Sequence, residues 1–200
     1  ALQTGADMVD MCAQKGCNIL SIGEMGIANT SAASLWMSIF TKTPLPDCIG
    51  AGSGLNEAGI AHKNKILTEA LHHFHTQHLP ATSALAYFGG FEMVAAVGAM
   101  LRAAEQKMVI LIDGFIMTAC LLAAAHIHKN VRHYAIFTHC SEEKGHRLLL
   151  QHLRAHPLLS LGLRLGEGTG ALCCYPIVES AVRMLNEMNN FDNAHITKYF

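Results

Sequence analysis

Apolar positions recur along this chain with two different periods, and the switches between them predict its elements. Leu2, Ala6, Val9 and Ala13 fall at helical spacing, and the pattern stops at Gly16, a residue suited to closing a helix. "CNILSIG" is a short apolar stretch ending in glycine, which predicts a strand. Asn29 and Thr30 are then placed to open a helix running through Phe40. Residues 56–78 and 90–106 are helical in pattern. "VILID" (109–113) is an unbroken apolar run, as expected of a strand covered on both faces. A helix follows from about Ile116 to His128, then the strand "YAIFT" (134–138) and a helix from Glu142 to Ala155. The last predicted helix runs from about Thr169 to Met188.

Strands alternating with long helices predict βαβ units, hence an α/β fold with a mainly parallel sheet flanked by helices. Right-handed crossovers gather the strand-to-helix loops along one edge, where ligands bind in such folds. The loops to watch therefore follow Ile22, Ile112 and Phe137, together with two glycine-rich loops. The expected organisation is one α/β domain over residues 1–200. The chain opens inside a helical pattern, without methionine, and offers three or four convincing strands. The expectation is the C-terminal portion of something longer.

Composition narrows the function classes. The chain is 51% hydrophobic and 14% charged, too apolar for disorder. Its net charge of −1, with both signs mixed, offers no basic field for nucleic acid or an anionic membrane. The longest apolar run, "MVILIDGFIMTACLLAAA", is broken by Asp113 and Gly114 and reads as strand then helix rather than a membrane span. The N-terminus lacks the pattern of a signal peptide. Seven cysteines without a CxxC favour reduced thiols and a cytoplasmic location. The adjacent Cys173 and Cys174 read most simply as small packing residues.

Five loops could carry chemistry. "GEMGIANTSAAS" (23–34) reads either as a capped helix with Glu24 near its positive end or as an anion cradle. "GAGSGLNEAGIAHK" (50–63) offers glycines for close backbone approach and Lys63 as a point charge. As a dinucleotide fingerprint it is weak, since no acidic residue closes a strand about twenty residues later. "LIDGFI" places Asp113 and Gly114 at a strand end, suited to a ligand contact or a helix cap. In "THCSEEKGH", Ser141 is placed either to cap a helix or to bond a phosphate oxygen. The serine lacks a G-x-S-x-G elbow, which argues against a hydrolase. His75 and His78 share a predicted helical face, but the chain has neither HExxH nor a Cys/His zinc pattern. Last comes "LRLGEGTGA" (163–171), where Glu167 stands between glycines.

"GEMGIANTSAAS", "GSGLNEAGIAHK", "GGFEMVAAVGAML", "LIDGFIMTA", "SEEKGH" and "LGLRLGEGTGA" occur in this order over essentially the whole chain. That series resembles the nicotinate-nucleotide–dimethylbenzimidazole phosphoribosyltransferase family, which makes the lower-ligand nucleotide of cobalamin. The resemblance implies a Rossmann-like α/β domain with part of a smaller helical domain, and a homodimer. It implies transfer of phosphoribose from nicotinate mononucleotide to 5,6-dimethylbenzimidazole, giving α-ribazole 5′-phosphate and nicotinate, with no metal and no cofactor. Glu167 is then the general base. Glu24, Met25 and Gly26 line the nucleotide pocket, Lys63, Gly114 and Ser141 surround the phosphoribosyl group, Leu165 lies beside the aromatic base, and Gly166 is a further substrate-binding residue. The chain departs from the family at Ala51 and Ser53, where arginine and threonine are common, and lacks the family's N-terminal region. The alternative is a truncated, catalytically impaired homologue that binds nucleotide or a partner chain without turnover.

Overall fold

Three short strands form a parallel sheet in the order β1 (Ile19–Ser21), β2 (Val109–Ile112), β3 (Ala135–Phe137). The computed structural model describes residues 1–189 and 193–194. The register pairs Leu20 with Ile110 and Leu111 with Ile136. β2 is central, and both of its faces are covered: Ile110 and Ile112 on one side and Leu111 on the other are buried. This is why "VILID" reads as continuously apolar. Its final Asp113 lies one residue past the strand and is itself buried.

The helices are α1 (Leu2–Gln14), α2 (Asn29–Thr41), α3 (Leu45–Cys48), α4 (Glu57–Thr76), α5 (Ala84–Phe88), α6 (Phe91–Glu105), α7 (Phe115–Ile127), α8 (Lys144–His152) and α9 (Thr169–Glu187). The long periodic segments are recovered within a few residues, and the short α3 and α5 carry too few residues for a period to register. α7 is apolar on nearly every side and is accordingly enclosed, with Leu121, Ala123 and Ala124 all buried. The apolar run that contains it is strand plus core helix, and among the described residues no helix is long and apolar enough to cross a membrane.

Several local expectations are corrected. Asn29 does not cap α2; the preceding Ala28 occupies that position in a left-handed conformation, and the Asn29 amide is drawn to Glu24 instead. The true side-chain cap lies elsewhere, at Asn56, whose Oδ1 accepts from the Gly59 N–H at 2.9 Å to start α4. Ser141 does not cap α8, which begins three residues later after Glu143. His78 lies beyond α4 in a left-handed turn, so it shares no helical face with His75. Cys174 packs in the interior, whereas Cys173 is exposed.

A further strand-like connection escapes the sequence pattern. Residues 158–163 run beside the chain leaving β3: Leu158 and Leu159 donate to Phe137 and Thr138, and Cys140 and Glu142 donate to Leu159 and Leu163. The bridge between His139 and Leu159 is parallel. This ladder carries the backbone into the Glu167 loop from a fixed edge of the sheet.

α1 lies along α6 at a distance set by glycine. A methyl group added to Gly98 would sit 2.0 Å from the Leu2 carbonyl oxygen, and backbone there cannot yield without moving the helix. Gly98→Ala is therefore expected to cost about 1–3 kcal/mol, read as a lower urea midpoint with an unchanged slope. An unchanged midpoint would show that α1 is not held against α6.

Candidate active site

The loops at the carboxyl edge of the sheet converge on one cavity of about 830 Å³. Its walls come from Glu24–Ile27 after β1, Gly50–Ser53 before α4, Asp113–Met117 after β2, Ser141–Lys144 after β3, and Leu163–Glu167 before α9. Glu24, Met25, Gly26, Gly114, Ser141, Leu165, Gly166 and Glu167 are thus brought together from four distant stretches of the chain. Lys63 stands just behind this wall. Its ammonium donates to Thr30 Oγ1 at 3.1 Å and to the Gly50 carbonyl at 3.3 Å, bracing the glycine loop. Burial lowers the Lys63 pKa, and the neighbouring Glu143 carboxylate opposes that shift. Lys63 is therefore an embedded cation rather than the solvated helix residue its position suggests.

Asp113 organises the opposite wall. Its Oδ2 accepts the Gly168 N–H at 3.1 Å and its Oδ1 accepts the Ala171 N–H at 3.2 Å, so a carboxylate from β2 caps the start of α9. A negative charge at the amino end of a helix is favoured by the helix dipole as well as by these bonds. The structure resolves the two readings of Asp113 in favour of a cap, supplied from a distant strand end. His139 lies alongside, its Nδ1 3.8 Å from Oδ1. Burial depresses the His139 pKa, and the Asp113 charge works against that depression. Gly170 makes this contact possible, since a side chain there would collide with the His139 ring.

Glu167 is held by the same clamp. Gly166, Glu167 and Gly168 have φ values of 77°, 61° and 80°, three left-handed residues in a row. Glycine adopts that conformation freely, but for glutamate it costs about 1–2 kcal/mol. The Glu167 backbone packs against Gly23 so closely that a side chain on Gly23 would overlap it. A residue kept in a strained conformation, with its own carboxylate exposed at the cavity, is a feature of functional sites.

Around this carboxylate the cavity has two characters. Met25 and Leu165 line it yet remain 84% and 66% exposed, an unusual state for large apolar side chains. Glu24 sits opposite, one oxygen accepting from the Gly26 N–H at 3.0 Å and from the Asn29 amide, the other lying against Gly166. Sequence reasoning missed His146. It is fully buried and hydrogen-bonded to Ser141 and Thr118. The signal was its place at the end of "SEEKGH" on the inward face of α8. Among the described residues no three His, Cys, Asp or Glu side chains converge as metal ligands.

A three-stranded parallel sheet flanked by helices, with the loops of its carboxyl edge gathered around one cavity, defines an α/β protein whose ligand site lies at that edge. The chain belongs to the phosphoribosyltransferase family whose profile matches residues 1–196. It is 58% identical over 199 residues to a nicotinate-nucleotide–dimethylbenzimidazole phosphoribosyltransferase of Bacteroides fragilis, covering 100% of this chain and 57% of that protein. The protein of the same name from Parabacteroides distasonis is 54% identical over 200 residues, covering 100% of this chain and 58% of the relative. A solved structure of the Thermus thermophilus protein of that name superposes with a TM-score of 0.87 at 34% identity, over 98% of this chain and 58% of that one. The chain therefore spans less than two thirds of the length of these relatives.

Two outcomes are expected. In Asp113→Asn one amide hydrogen must face a backbone N–H, so one charged bond becomes a donor–donor contact. Stability should fall by about 1–3 kcal/mol, and hydrogen exchange at Gly168 and Ala171 should accelerate. Unchanged exchange would show that the clamp does not hold the loop. The second outcome concerns pH. Burial depresses the His146 pKa from 6.5 to about 3, and the neighbouring His139 adds to the effect. Between those values the unfolded chain binds a proton that the folded chain refuses, so stability is complete above the upper value and falls as pH drops through the window. His146→Gln should flatten that slope in urea titrations; an identical slope would place the titration elsewhere.

Proposed function

We propose that the site transfers phosphoribose from nicotinate mononucleotide to 5,6-dimethylbenzimidazole, giving α-ribazole 5′-phosphate and nicotinate. The observation that carries this reading is Glu167, a carboxylate kept in a left-handed conformation beside exposed apolar side chains. Met25 and Leu165 offer apolar surface for a flat dimethylated ring. Glycine-lined backbone around Gly26, Gly114 and Gly52 suits the close approach of a phosphorylated sugar. The names of the relatives support the same pair of substrates.

The chemistry needs one base. In nicotinate mononucleotide the glycosidic nitrogen is part of a pyridinium, so nicotinate departs with the bonding electron pair as a neutral ring and requires no acid. The attacking benzimidazole nitrogen becomes bonded to the anomeric carbon, and its ring turns cationic. Glu167 takes the proton from the ring's other nitrogen, restoring neutrality. Attack from the face opposite the leaving group inverts the β-nucleotide to the α-product. Ser141, Gly114 and the loop braced by Lys63 fix the phosphoribosyl end, so that binding energy aligns the anomeric carbon. The reaction calls for no metal or cofactor. We place it in the cytoplasm and in a homodimer, to which exposed apolar residues of α9 such as Leu172 and Leu185 lend support.

The alternative reading is a chain that binds nucleotide without turnover. One experiment separates them. The protein is mixed with nicotinate mononucleotide and dimethylbenzimidazole, and α-ribazole 5′-phosphate is measured by chromatography. Turnover that falls about 10²–10⁴-fold in Glu167→Gln is expected of a general base. Binding without product in both proteins would favour the second reading, and undiminished turnover in the variant would remove Glu167 from the chemistry. Glu167→Gly should raise stability by about 1 kcal/mol while abolishing turnover, because glycine relieves the left-handed strain.

A further inference from the structure

The mechanism above uses the Ser141 hydroxyl but not what holds it. The Ser141 N–H donates to His146 Nδ1 at 2.9 Å, and the Ser141 hydroxyl lies 2.8 Å from the same nitrogen. On the other side of the ring, Nε2 is 3.0 Å from Thr118 Oγ1, which donates to the Gly114 carbonyl at 2.9 Å. A backbone N–H can only donate, so Nδ1 is the acceptor and the ring proton resides on Nε2. Nε2–H then donates to Thr118 Oγ1. Every polar group in this buried chain has a partner, and the chain ties the loop after β2 to the loop after β3.

Two donors compete for one ring lone pair. The amide is fixed in the backbone and cannot turn away, whereas the hydroxyl can rotate. We propose that His146 is a positioning residue that, with Thr118, locks the Gly114 and Ser141 loops together and holds the Ser141 hydroxyl ready to donate to the phosphate of the nucleotide. When the anion arrives, the hydroxyl proton swings from the ring to a phosphate oxygen. The ring acceptor stays satisfied by the amide, so nothing buried is orphaned by the switch. The inference rests on reading the pocket as a phosphoribosyl site.

The serine–histidine contact has the spacing of a nucleophile and its base, but its surroundings assign it differently. The third partner is the neutral Thr118 hydroxyl rather than a carboxylate, and the backbone amide already claims the Nδ1 lone pair. Fully buried, His146 remains neutral. Ser141 is thus a binding hydroxyl, and a fluorophosphonate should leave it unlabelled.

The test uses this 200-residue chain with nitrogen-15 in its histidines. Ring shifts in the unliganded protein should show His146 protonated on Nε2, and addition of nicotinate mononucleotide should move Nδ1 as it loses the hydroxyl. His146→Leu should weaken nucleotide binding by about tenfold or more, while affinity for dimethylbenzimidazole stays within about threefold. His146→Gln, which keeps an acceptor and a donor, should recover most of the loss. Parent-like nucleotide affinity in a folded His146→Leu, labelling of Ser141, or a ring protonated on Nδ1 would overturn the proposal. If His146→Leu does not fold, Thr118→Val against Thr118→Ser makes the same comparison at the far end, and equal affinities there would overturn it. Failure of the parent to bind nicotinate mononucleotide would sink the phosphoribosyl reading and the positioning role with it, whereas parent binding without loss in the variants sinks only the latter.

Discussion

The carboxylate of Asp113 is the fixed point on which the site depends. It stands at the end of the central strand, buried, and receives the amides of Gly168 and Ala171. Burying an ionised carboxylate is costly unless its lone pairs are met, and here the amino end of α9 meets them. One interaction therefore joins the sheet to the last helix and fixes where the intervening loop must lie. The left-handed turn at Glu167 is a consequence, because the chain arrives along the ladder with β3 and must reach Asp113 within a few residues.

The same constraint gives the pocket its division of labour. The buried and half-buried groups are structural: Asp113 clamps α9, His146 ties Ser141 to Thr118, and the half-buried Lys63 braces Thr30 and Gly50. The exposed groups, Glu167, Met25 and Leu165, face the cavity with few obligations of their own. Binding and proton transfer need groups that are placed but unspent. The fold supplies the placement from below and leaves the upper surface free.

Much of this was legible before the structure. Unbroken apolarity in 109–112 and alternation of strands with long helices sufficed for a parallel α/β sheet, and its carboxyl edge located the loops that meet at the cavity. Ordered motifs brought the site residues together where single motifs could not, since a lone glutamate among glycines has no signature. What escaped was non-local. Asn29 carries the residue type of a cap, but Glu24 competes for its amide. Lys63 has the pattern of a solvated residue until the glycine loop folds over it, and the pairing of 158–163 with the end of β3 involves too few residues to leave a period. His146 sat in a quoted motif, yet its partners Thr118 and Ser141 lie on other elements. Side-chain partners across elements have no periodicity to read.

The central claim is that the Asp113 clamp delivers Glu167 to the proton of an incoming aromatic base. A crystal structure of this chain with 5,6-dimethylbenzimidazole tests it most directly. The account predicts the ring between Met25 and Leu165, with one nitrogen at hydrogen-bond distance, about 2.7–3.0 Å, from a Glu167 oxygen. A ring bound in this cavity with both nitrogens turned away from Glu167 would contradict it.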